Sequence, residues 1–144
     1  MRIKMRIFAG FLVSLLGGCL TIDVSPESAG PPPDLTKYRL VVRDYLRTSF
    51  IDPYSVRDAQ IAKPKPGLVY IEGTIRHEPG WVVCVRANAK NRMGAYIGIR
   101  DTMVLLRGDR AVASFSSPDP GHYELRTVCG SEQYEPFPEF EVGR

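Results

Sequence analysis

Trp81-Val82-Val83-Cys84-Val85-Arg86-Ala87-Asn88-Ala89-Lys90 decides the fold. Trp81, Val83, Val85, Ala87 and Ala89 recur at every second position, and Arg86, Asn88 and Lys90 stand opposite them. A period of two sends alternate side chains to opposite faces, so the segment is a strand with one dry and one wetter face. That pattern belongs to an antiparallel sheet covered on one side. Working outward, residues 56–62, 68–75, 96–107, 110–116 and 123–129 share β-branched content and the same period, and join 81–89 as candidate strands. Pro64, Pro66 and Gly67 break the chain between the first two, and residues 76–80 break it before the third. Gly108-Asp109 is a two-residue hairpin turn, because glycine supplies the positive φ that primed turns need.

Ahead of the strands the period lengthens. Leu35, Tyr38, Val42, Tyr45, Leu46 and Ser49 fall three, four or seven apart, while Lys37, Arg39, Arg43, Asp44 and Arg47 fill the other face. This is an amphipathic helix, capped by Asp34 or Thr36 and ended near Ile51 by Pro53. The basic row Arg39, Arg43, Arg47 is expected to face water. The fold class is therefore α+β, with one N-terminal amphipathic helix packed on an antiparallel β-meander, in a single domain over residues 35–130. Residues 131–144 alternate Glu132, Glu135, Glu139 and Glu141 with Tyr134, Phe137 and Phe140. They are expected as a loose acidic and aromatic tail, or as a segment that lies along a partner's groove or sheet edge.

At the N-terminus a basic start, Arg2, Lys4 and Arg6, leads into a ten-residue apolar run and then Gly17-Gly18-Cys19. That is the build of a secretory signal, residues 1–18, and the run is too short for the roughly 20 residues a membrane-spanning helix needs. Residues 19–34 hold Pro31-Pro32-Pro33 and little apolar periodicity, so they read as a Pro-rich tether in extended polyproline geometry. A length of 144 residues with 44% hydrophobic content fits one domain. The signal holds three of the 19 basic residues, so 16 remain against 16 acidic ones. A neutral mature chain carries no electrostatic footprint for nucleic acid.

Leu16-Gly17-Gly18-Cys19 resembles the processing motif of bacterial lipoproteins. The resemblance implies a lipid-modified Cys19 as first residue of the mature protein, held in the membrane by several acyl chains. Leu20, in place of aspartate, implies sorting to the outer membrane. Two further stretches, residues 50–61 with Asp52-Pro53-x-Ser55-x-Arg57 and residues 83–98 with Cys84-Val85-x-x-Asn88-Ala89-Lys90-Asn91-x-x-Gly94-x-Tyr96-x-Gly98, resemble a family of small uncharacterised bacterial lipoproteins and exported proteins. Ala95 stands where that family's pattern has a second glycine. The family supplies no activity.

Of three cysteines, one is assigned to lipid, which leaves Cys84 and Cys129 to form a disulfide in an oxidising compartment. The bond would tie the sheet's centre to its last strand, and closing a loop of this length is worth roughly 4 kcal/mol in the chain-entropy account. The polar loop around Asn88, Lys90, Asn91, Arg92 and Tyr96 offers amide, cationic and aromatic groups suited to glycan or peptide contacts. The same asparagines also bond their own backbone in turns. Arg107-Gly108-Asp109 matches a cell-adhesion triplet, but its position between two strands makes it a turn.

Catalytic constellations are scarce. His77 and His122 are the two histidines, both beside proline or glycine, and no zinc, redox, nucleophile-elbow or phosphate-loop motif occurs. A Cys84 thiolate activated by a histidine is the sharpest enzymatic possibility, and two histidines lack a third metal ligand. No catalytic residue, cofactor or metal is expected. The expected function is a non-catalytic interaction or structural module of the envelope, facing the periplasm from the outer membrane, with an envelope protein or cell-wall component as partner. The rival is a peptidoglycan-related enzyme or enzyme inhibitor.

Overall fold

The computed structural model describes residues 24–70, 77–119 and 121–141. The signal 1–18, Cys19, the start of the tether at 19–23, residues 71–75 of the strand expected over 68–75, and 142–144 of the expected tail lie outside the described residues. The architecture is α+β, built on a six-stranded antiparallel sheet. The strands are β1 (Arg57–Ala62), β2 (Lys65–Tyr70), β3 (His77–Lys90), β4 (Tyr96–Arg107), β5 (Arg110–Ser116) and β6 (Tyr134–Pro136). Sheet order is β5-β4-β3-β1-β6, with β2 also on β3. β2, β3, β4 and β5 follow one another as antiparallel neighbours, a meander, whereas β1 and β6 join out of chain order. β3 is 14 residues long, and its other edge is shared, with β2 pairing 77–82 and β1 pairing 85–88.

Helices cover both faces. α1 (Pro26–Ala29) is a single turn, α2 (Tyr38–Ser49) lies on one face, and α3 (Tyr123–Cys129) lies on the other. On the α2 side Tyr38, Val42 and Leu46 meet Val83, Val85, Val104 and Leu106. On the α3 side Leu125 and Cys129 meet Val69, Val82, Cys84, Met103, Leu105 and Phe115. A strand buried on both faces reads as a continuous apolar run, and Val82-Val83-Cys84-Val85 and Met103-Val104-Leu105-Leu106 are such runs, each residue at most 1% exposed.

Several expectations are corrected. Residues 123–129 are helical rather than a strand: Leu125 and Cys129 are four apart and both buried, while Tyr123, Arg126 and Thr127 face outward. Gly130 closes that helix, since a Cβ there would stand 2.3 Å from the Arg126 carbonyl oxygen. The C-terminal segment is no loose tail. Phe137 and Phe140 are 0% exposed between α2 and β1, and β6 pairs antiparallel with β1. The folded unit therefore runs past residue 130 to at least Glu141.

Arg39 and Arg47 of the basic row on α2 hold that segment. Arg39 grips Glu139 with two parallel bonds of 2.9 Å, donates to the Pro136 carbonyl at 2.6 Å, and lies 5.2 Å above the Phe137 ring. Arg47 donates to the Glu139 carbonyl, and Arg43 pairs with Asp44. Bonding to Arg39 holds the Glu139 carboxyl below its usual range, and bonding to Glu139 raises the Arg39 guanidinium. Leu35, assigned by period to the dry face, is 65% exposed, because the chain turns at 35–37 before α2 begins.

The described part of the tether is docked rather than extended away. Pro26–Ala29 forms α1 with Ala29 and Pro33 buried, the Trp81 indole donates to the Gly30 carbonyl at 3.0 Å, and the Asp34 N–H donates to the Asp109 carboxylate at 2.7 Å. Thr36, by backbone and hydroxyl, holds the Asp34 carboxyl down at about 2.

Candidate functional site

Cys84 and Cys129 are joined, with Cα atoms 5.6 Å apart. The bond pins the C-terminal turn of α3 to the sheet's central strand. Around it Lys65 donates to the Val128 carbonyl at 2.6 Å and pairs with Glu132, and the Tyr134 hydroxyl donates to the Cys129 carbonyl. Tyr134 is pushed up by burial, and the Arg86 guanidinium lies 4.1 Å over its ring. Cys84 thus carries no free thiol to act as a nucleophile. His77 faces Glu124 at 3.1 Å and His122 stacks edge-on against Phe115, both at the α3 side of the sheet. Among the described residues no cluster of three His, Cys, Asp or Glu is placed to hold a metal.

The Arg107-Gly108-Asp109 triplet is spent internally. Gly108 turns the chain with φ +55°, Arg107 pairs with Glu78, and Asp109 accepts from the docked tether.

The opposite end of the β3–β4 hairpin holds the polar loop. Asn91 organises it: its side-chain oxygen accepts from the N–H groups of Met93 and Ala95 at 2.9 and 3.1 Å, and its own N–H donates to the Ala95 carbonyl. Gly94 and Gly98 both take positive φ, and the Gly98 N–H donates to the Asn88 side chain across a register shift. Both asparagines therefore build the loop, as Asx chemistry predicts. Ser55 connects the loop to the turn after α2, accepting the Lys90 N–H at 2.9 Å while donating to the Asp52 carbonyl. Two cations lie over the Tyr96 ring, Arg57 at 3.6 Å and Lys90 at 5.5 Å from its centroid. Arg92 and Tyr96 are exposed, as are Ile51, Tyr54, Met93, Ile97 and Ile99 close by in the chain.

Beside this loop is an open groove of about 300 Å³ on the α2 side of the sheet. It exists because α2 ends at Ser49 while β3 and β4 run on: Phe50 turns away with ψ 144°, and the sheet beyond is bare. Phe50, Ile51, Ala87, Ala89 and Ile97 give it apolar walls, and Lys90 and Arg100 are the charged residues that line it. Arg100 has a buried Nε without a hydrogen-bond partner among the described residues. Sequence reasoning placed Lys90 and Asn91 here but missed Phe50, Ile51, Ala87, Ile97 and Arg100. The available signal was the apolar Phe50-Ile51 pair stranded between the helix and Pro53.

Comparison of the chain with protein-family models, with curated proteins and with solved structures finds no match to any of them.

Proposed function

We propose that this chain is a lipid-anchored lipoprotein of the bacterial envelope, held in the outer membrane through Cys19, whose folded part is a non-catalytic interaction module presenting the β3–β4 hairpin end to a partner. The observation that carries the reading is the Cys84–Cys129 bridge. Protein disulfides persist mainly in oxidising compartments outside the cytosol, and this one consumes two of three cysteines, leaving Cys19 behind a basic, apolar, Leu16-Gly17-Gly18 leader. Membership of the small lipoprotein family resembled by residues 50–61 and 83–98 is part of the same proposal. It gains from the way Ser55 and Lys90, which belong to those two stretches, are bonded to one another.

A peptidoglycan-directed enzyme is the weaker reading. It calls for convergent carboxylates or a thiol beside an imidazole, whereas the groove's lining holds neither Asp nor Glu and the Cys84 sulfur is committed. Detergent partitioning and envelope fractionation of a Cys19→Ser variant test the proposal. The parent protein is expected in the detergent phase and with outer-membrane fractions, the variant in the aqueous phase. A variant that still fractionates wholly with membranes rules out Cys19 as the anchor.

A further inference from the structure

We infer that the groove between the end of α2 and the β3–β4 hairpin binds an extended segment of a partner protein that carries an apolar side chain next to a carboxylate, with Arg100 as the carboxylate's partner. This rests on the reading of the chain as an anchored binding module and goes beyond it by naming the ligand's chemistry.

Shape and charge point the same way. About 300 Å³ is room for one or two apolar side chains, and Phe50, Ile51, Ala87, Ala89 and Ile97 supply the matching walls. Ile51 and Ile97 are 63% and 42% exposed, so covering them removes apolar surface from water. The charged residues of the lining, Lys90 and Arg100, are both cationic. Lys90, Arg92 and Arg100 form no ion pair among the described residues, in contrast to Arg39, Arg43, Arg86 and Arg107, each of which has its carboxylate. The Arg100 Nε is buried without a partner, and a buried donor left unpaired costs stability that an incoming carboxylate recovers. An arginine in that state favours a carboxylate, which accepts its N–H groups pairwise.

A peptide fits better than a fatty acyl chain. Thr102, Ser116 and Ser117 also line the groove, and hydroxyl groups offer hydrogen bonds that a peptide backbone uses and an acyl chain does not. Position fits too. The docked tether meets the sheet at Trp81 and Asp109, and Lys90 lies nine residues further along β3. At about 3.3 Å per residue that places the groove roughly 30 Å along β3 from the docked tether.

The full chain, purified in detergent, is screened against a randomised octapeptide library, some members with a free C-terminal carboxylate and some amidated. The expected result is enrichment of Leu, Ile, Val or Phe adjacent to Asp, Glu or a free C-terminus. Arg100→Gln is expected to weaken binding of the enriched peptides at least tenfold while keeping the apolar preference. Ala89→Phe, which fills the groove, is expected to abolish binding while the fold is kept, read as an unchanged circular dichroism spectrum. No enrichment, or an acid preference that survives Arg100→Gln, overturns the inference. Saturation by palmitate with that Arg100 dependence, where the peptides show none, overturns it in favour of a lipid ligand. Either failure leaves the anchoring test of Cys19 standing, since the two measurements share no step.

Discussion

Phe137→Ala measures whether the C-terminal segment belongs to the core. The Phe137 ring is 0% exposed, 5.7 Å from the Phe140 ring and under the Arg39 guanidinium, while its backbone N–H donates to the Ala59 carbonyl at 2.8 Å. Alanine keeps that backbone bond and deletes the ring, so the loss is transfer energy plus the cavity left between α2 and β1. Buried Phe→Ala changes cost about 3–5 kcal/mol. Partial settling of neighbouring side chains into the space places this site at the lower end of that range, about 3 kcal/mol. For a domain of this size that lowers the melting temperature by about 10–15 °C, and against a typical total of roughly 5–15 kcal/mol it is a large share. Urea unfolding followed by circular dichroism gives the difference directly, with an unchanged m-value marking a pure stability effect. Tyr123→Ala, at a residue 82% exposed, is the control and is expected to stay within about 0.5 kcal/mol. A Phe137→Ala loss below about 1 kcal/mol refutes the placement of the segment in the core.

Arg39→Gln is expected to cost about 1 kcal/mol at neutral pH, because the pair is partly solvent-screened. Arg39 lowers the Glu139 carboxyl from its ordinary 4.5, so the folded state holds that proton less readily than the unfolded chain. The contribution is therefore present above about pH 4.5 and lost as pH falls through the folded value; urea titrations at pH 7 and pH 3 are expected to show the parent and variant converging in acid. Reduction of the Cys84–Cys129 bond, which spans 45 positions, is expected to cost about 4 kcal/mol, read as the midpoint shift between urea melts with and without reductant. Asp109→Asn keeps an acceptor for the Asp34 N–H and is expected to be near neutral, Asp109→Ala loses about 1 kcal/mol, and Gly108→Val, forced to φ +55°, loses about 1–2 kcal/mol in thermal melts.

The sequence made the strands of the central hairpins legible because each is an apolar or β-branched stretch of seven or more residues, with Gly108 marking the tight turn between β4 and β5. It hid the second helical layer. Trp81, Val83 and Val85 pointed to one dry face, and Val82 and Cys84, equally apolar, already announced the other. The helix over 123–129 was read as a strand because seven residues span barely two turns, too few for Leu125 and Cys129 to establish a period without Gly130 as a stop. The tail was misjudged for a different reason. Its glutamates and the arginines of α2 each look like solvated charge in isolation, and only the fold brings Arg39 to Glu139 across 100 positions of chain. The groove was half legible, since Lys90 and Asn91 stand out as a polar loop, but its walls come from three separated segments that meet only when α2 stops short of the sheet's end.

Peptide mass spectrometry without reduction, on protein taken from native membranes, tests the central claim most directly. The account predicts a first peptide that begins at a diacylglyceryl-modified, N-acylated Cys19, together with a linked pair of peptides containing Cys84 and Cys129. An unmodified Cys19, or Cys84 and Cys129 recovered as freely alkylated thiols, contradicts it.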